Sequence, residues 1–156
     1  MNPISFATFD QAVAQYFEPL ARDNQWPLVR ISKEVFEIQS PFFVMQIRFG
    51  VGMHSRNIDA VLVPVSQKQE TESDGGAFGI LAIAGYNGIE MEIAPREQTE
   101  LGFFEYALYL AKYAQRFGLP YMLGQKLDSG KIKEYWWNKS EMDLKKIKGH
   151  MRNISL

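Results

Sequence analysis

The stretch from Leu101 to Phe117 constrains this chain most. Set at about 100° per residue, Leu101, Phe103, Phe104, Ala107, Leu108, Leu110, Ala111, Ala114 and Phe117 fill a broad apolar arc. Glu105, Tyr109, Lys112 and Arg116 fall together on the remaining side. So wide an arc needs a sheet beneath it and a further element beside it. A helix is predicted over about Thr99–Phe117, with Gly118 as its C-terminal cap and Pro120 preventing continuation.

The preceding sequence supplies the other elements. Thr8 and Gln11 have capping-box spacing, and Phe9, Val13, Phe17 and Leu20 recur at helical intervals, which predicts a helix over 6–24. Pro19 should bend that helix or end its regular part early, and Trp26-Pro27 marks its exit. Leu28–Ile31 and Val35–Ile38 read either as strands or as extended loop. In Phe42–Phe49, Phe43, Met45, Ile47 and Phe49 share one face while Gln46 and Arg48 lie opposite. Asn57–Val65, with Val61, Val63 and Val65 on one side, completes an antiparallel hairpin across the connection GVGMHSR.

Residues 66–76, SQKQETESDGG, hold no large apolar group and are predicted to be a mobile loop. Apolar character resumes at Ala77–Ala84, and Ile89, Met91 and Ile93 alternate with two glutamates. Tyr86-Asn87-Gly88 between these runs reads as a hairpin turn. Beyond Pro120, Ser129 is read as the cap of a short helix containing Ile132, Tyr135 and Trp136. Ser140 and Asp143 suggest a second capping box, with Gly149 at the end of that helix. The expected fold is therefore a single α+β domain over 1–156. It has a mainly antiparallel sheet, an N-terminal helix, a long helix near 99–117 and C-terminal helices packed against it.

Composition narrows the chemistry. Among 156 residues there is no cysteine, and the only histidines are His54 and His150. Disulfides and thiolate metal sites are excluded, and neither paired histidines nor HExxH spacing suggests a metal centre. The glycines at 75, 76, 79, 85 and 88 match neither GxGxxG nor a P-loop, and no cofactor is expected. The N-terminus lacks the pattern of a signal peptide, and no apolar run approaches a membrane span. A cytoplasmic, non-membrane protein is the expectation. Residues 126–156 carry eight Lys or Arg against four Asp or Glu, and residues 1–125 carry nine against fourteen. A basic C-terminal segment of this size reads as a solvated helix face in preference to a nucleic-acid site.

The order of elements resembles that of small bacterial immunity proteins or similar uncharacterised bacterial α+β proteins. The resemblance rests on the N-terminal helix, the strands Val35–Ile38 and Phe42–Val65, and the helix Leu101–Phe117 followed by Leu119-Pro120-Tyr121-Met122-Leu123-Gly124. It implies a protein that binds and neutralises a partner toxin, and it assigns no catalytic residues. With a poor catalytic inventory, the favoured reading is a non-catalytic protein-binding module. Arg48, His54, Arg56, Glu90, Glu92, Tyr109 and Trp137 are its candidate contact residues. Two alternatives stay open: a hydrolase or transferase using His54 with a remote carboxylate, and a homodimeric structural subunit.

Overall fold

The computed structural model describes residues 4–50, 58–65, 77–89 and 99–154, with side chains as far as Met142. The chain divides into two compact units, Met1–Lys126 and Leu127–Leu156. The first holds a five-stranded antiparallel sheet: β1 (Leu28–Ser32), β2 (Val35–Gln39), β3 (Phe43–Phe49), β4 (Ile58–Pro64) and the two-residue β5 (Phe78–Gly79). Spatial order follows sequence order, so every connection is between neighbours. The predicted mobile loop at 66–76, most of the β3–β4 connection and the alternation at Met91 and Ile93 lie outside the described residues.

Register gives each face its character. Phe43 pairs with Pro64, Met45 with Leu62, Ile47 with Ala60 and Phe49 with Ile58. Apart from Pro64, these side chains are buried. The expected apolar face of β3 is therefore the core face. On β4 the residues that join it are Ile58, Ala60 and Leu62, because Val61 and Val63 alternate to the other side.

Helices cover the core face. The first helical run is α1 (Phe6–Ala12), a π-helical turn over Val13–Phe17, and α2 (Glu18–Asp23). Its cap is Ser5, whose Oγ accepts the Thr8 N–H at 3.1 Å, three residues before the position expected from Thr8–Gln11. Thr8 is already inside the helix, and its hydroxyl donates to Glu100 Oε1 at 3.2 Å. Pro19 neither ends nor breaks this run. The Glu18 N–H reaches back five residues to the Val13 carbonyl, so the turn widens just where proline supplies no donor. Pro19 then falls in the first turn of α2, where a missing N–H costs little.

The same device corrects the expected end of the long helix. Thr99 caps α4 (Glu100–Tyr113), accepting the Gly102 N–H at 3.0 Å. A π-helical turn over Ala114–Gly118 follows, closed by the Leu119 N–H on the Ala114 carbonyl, and Pro120 sits in the first turn of α5 (Leu119–Met122). The helical path therefore runs through Pro120 and stops at Gly124. There φ is +115°, and the N–H groups of Gly124 and Gln125 donate to the carbonyls of Tyr121 and Pro120. Gly118 is no cap: its φ is −93°. Its missing side chain instead permits close approach, since a Cβ there would lie 2.8 Å from Ile80 Cδ1 and 2.9 Å from Met45 Cε.

A second correction concerns Ala77–Ala84. Only Phe78–Gly79 is strand; Ile80–Tyr86 is the helix α3, and Asn87-Gly88 ends it instead of turning a hairpin. Gly88 has φ +83° and donates to the Gly85 carbonyl, while Ile89 donates to Ala84. Asn-Gly suits both structures because each needs a left-handed residue. A short apolar run gives no period to decide between them.

Aromatic rings tie the layers together. Phe9 stacks on Phe49 with centroids 5.0 Å apart and touches Phe36 at 5.5 Å. Phe49 also meets Phe6 at 5.5 Å and Phe103 at 5.9 Å, and Tyr16 meets Phe104 at 6.4 Å.

The second unit contains one helix, α6 (Ser129–Ile154). Its first turn is capped by Asp128, whose Oδ1 accepts the Lys131 N–H at 3.1 Å. The two helices expected from Ser129 and Ser140 are thus continuous. No proline intervenes, and an interior serine or glycine costs at most about 1 kcal/mol, too little to break a long helix. Among the described residues no helix is long and apolar enough to cross a membrane.

Ile80 and Met45 are both fully buried, so a methyl group at position 118 must displace their terminal carbons within the core. Gly118→Ala is expected to lower unfolding stability by about 1–2 kcal/mol despite alanine's better helix propensity. Chemical denaturation checks this, and a variant as stable as the parent would refute the close approach.

Candidate partner-binding surfaces

The second face of the sheet mixes polar residues and valines in register. Val35, Arg48 and Asp59 lie across β2, β3 and β4, as do Glu37, Gln46 and Val61, and then Gln39, Val44 and Val63. Glu37 is only 2% exposed, an expensive place for a carboxylate without donors. Gln39 Nε2 donates to its Oε1 at 3.1 Å and Gln46 Nε2 to its Oε2 at 2.8 Å. Gln46 in turn accepts from Arg48 Nε at 3.1 Å, so the cation is linked to the buried acid through an amide. Arg48, a residue singled out from sequence, is therefore a member of a structural network. Glu37 went unnoticed in the sequence. Its only signal is an acid between Phe36 and Ile38 in an alternating strand.

At the margin of this network Asp59 holds the Ala60 N–H at 2.8 Å. Burial raises its carboxyl above the ordinary value, outweighing the opposing effects of the Ala60 hydrogen bond and of Arg48. Tyr106 of α4 is also raised, first by burial and then by the negative charge of Asp59. From Tyr106 an aromatic row continues along the helix: Tyr109 at 6.3 Å, Tyr113 at 4.4 Å from Tyr109, and Phe117 at 5.8 Å from Tyr113. The Arg116 guanidinium lies 4.9 Å from the Phe117 ring centre. Glu105, Lys112 and Arg116 are exposed on the side of α4 expected to be polar, and the aromatic row runs along the margin of that side with Tyr109 partly buried within it. Arg48 acts on Asp59, Asp59 on Tyr106, and Tyr106 stacks on Tyr109.

An apolar surface lies at the end of the sheet where β3 begins. Phe42 precedes β3, Val65 follows β4, and the Val65 N–H donates to the Phe42 carbonyl at 3.2 Å. Leu123 ends the α5 path, and the Phe42 ring lies over the next residue, Gly124, where a Cβ would come within 3.1 Å of it. Phe42 and Val65 are thus paired at the end of the sheet, and Leu123 immediately precedes the glycine that lies under the Phe42 ring. Phe42 is 53% exposed, Val65 40% and Leu123 60%. None of the three was singled out from sequence as a contact residue. Phe42 looked like the first strand residue, and Leu123 lay beyond the expected end of the helix.

In the second unit Trp137 is 67% exposed on α6, while its neighbour Trp136 is partly buried beside Tyr135 with the Lys139 ammonium 5.0 Å from its ring centre. His54, Arg56, Glu90 and Glu92 lie outside the described residues. Among the described residues no three His, Asp or Glu side chains are grouped as a metal site would require. Comparison of the chain with protein-family models, with curated proteins and with solved structures finds no match.

The raised Asp59 carboxyl has a definite linkage sign. The folded state holds this proton more tightly than the unfolded chain, so its contribution to stability is greatest below the ordinary carboxylate range. That contribution falls as pH rises through the folded value. Asp59→Asn keeps an acceptor for the Ala60 N–H and removes the charge. It is expected to melt above the parent at neutral pH and level with it at about pH 3. An equal or lower melting temperature at neutral pH would contradict the burial effect.

Proposed function

We propose that the protein is a non-catalytic binding module that covers the surface of a partner protein, as an immunity-type inhibitor covers a toxin. The observation that carries this reading is the joint exposure of Phe42, Val65 and Leu123 at one end of the sheet. Single exposed apolar residues are ordinary, but a cluster drawn from three segments is the usual mark of a contact surface. The backbone beneath it is well fixed. Ser40 Oγ accepts the Phe43 N–H at 3.1 Å and donates to the Phe43 carbonyl at 2.7 Å, and the turn at Gly124 holds Leu123 in place. A rigid apolar patch loses little side-chain and loop freedom on association, which favours binding.

Photo-crosslinking from position 123, compared with position 33 in the turn between β1 and β2 at the other end of the strands, tests the proposal. A partner protein is expected to cross-link at 123 and not at 33. With that partner purified, Leu123→Asp is expected to weaken binding about tenfold or more, and Lys33→Asp less than about twofold. Equal cross-linking at both positions, or an unchanged affinity in Leu123→Asp, would remove this surface from the interface.

A further inference from the structure

Along α6, Trp137, Ser140, Leu144, Ile147, Met151 and Ile154 follow one another at alternating steps of three and four residues. These positions share one side of a helix, and five of the six carry large apolar residues. Around the rest of the helix stand Asn138, Lys139, Lys145, Lys146, Arg152 and Asn153. A three-four repeat, here over about two and a half heptads with a mostly polar remainder that Met142 interrupts, is the pattern by which one helix meets another along its length. Within it, Trp137 and Ser140 are both exposed in the single chain. This face belongs to the second unit and is independent of the surface around Leu123.

We propose that this face takes a second copy of α6, running antiparallel. The charges that flank the row select this occupant. On one flank lie the positions of Glu134, Glu141 and Lys148, and on the other those of Trp136, Asp143 and His150. A two-fold axis midway between Leu144 and Ile147 sets each of these two positions opposite the other in the second copy. It brings Trp137 opposite Ile154, and Ser140 opposite Met151. The position of Glu141 then comes opposite Lys148 and that of Asp143 opposite His150, each pair occurring twice. A parallel pairing in register places only Asp143 opposite Lys148, with Glu141 facing the apolar Trp136. With histidine neutral each orientation makes one kind of opposite-charge pair, twice over, and the antiparallel copy is the one that leaves no acid facing an apolar residue. Such pairs set orientation and register, while the apolar row supplies the affinity.

Sedimentation equilibrium of the full chain, from about 10 to about 500 µM, tests the proposal. The parent is expected to dimerise. Leu144→Asp should be monomeric, and Lys145→Asp, altered on the polar side, should dimerise like the parent. Because Leu144→Asp can also weaken the helix itself, a charge exchange provides a second test. Glu141→Lys alone is expected to weaken the dimer about threefold to tenfold, and Glu141→Lys combined with Lys148→Glu to restore it. Within one helix these two residues stand about 10 Å apart, so the rescue can come only from the second copy. A parent that stays monomeric, a dimer indifferent to Leu144→Asp, or a Glu141→Lys dimer of unchanged affinity would each overturn the proposal.

Discussion

The Phe49 ring is the contact on which the first unit depends. It stands on the core face of β3 and meets Phe9 and Phe6 from the first helical run and Phe103 from α4. Sheet, first helix and long helix thus converge on one side chain. A five-stranded sheet with one strongly apolar face is not stable uncovered, and no single helix is wide enough to cover it. The two helical runs are held side by side because each has its own contact with Phe49. Phe104 and Tyr16 add a direct link between them.

That arrangement explains why both prolines are tolerated inside helical runs. Each run must extend across the sheet, and each carries a proline where a regular α-helix would lose a hydrogen bond. A single widened turn places Pro19 and Pro120 in the first turn of a new helical segment, and the run continues. The second run gains a further contact in this way. At Gly118 the backbone comes down on Met45, Leu62 and Ile80, joining α3, the sheet and the α5 path at one point. The continuation to Met122 then brings Gly124 beneath the Phe42 ring and leaves Leu123, the residue before it, exposed. The apolar surface proposed for a partner is thus a consequence of the helix not stopping at its proline.

The α+β class, the hairpin of β3 and β4 and both long helical runs were legible in the sequence, because each shows a period of two or 3.6 over enough residues. The face of β3 was legible for the same reason. The runs of β1 and β2 are too short to tell a strand from extended loop. What was not legible depended on tertiary contact. Gly118 and Pro120 have the local chemistry of a helix end, and only the packing of Gly118 against buried side chains shows why the helix goes on. Asn87-Gly88 serves a helix end as well as a hairpin, and the apolar run before it is too short to choose. The buried Glu37 has no local signature, since its donors Gln39 and Gln46 become neighbours only through strand register. Of the candidate contact residues, Trp137 is exposed, while Arg48 and Tyr109 are taken up in contacts within the unit.

The helices are bound to the sheet through specific ring contacts at Phe49 and not by burial alone. A double-mutant cycle on Phe9 and Phe49, using Phe9→Leu, Phe49→Leu and the pair together, tests it most directly, because leucine keeps much of the apolar area and removes the stacked rings. The expected result is a coupling free energy of about 1 kcal/mol between the two positions. Effects that add to within about 0.3 kcal/mol would contradict it.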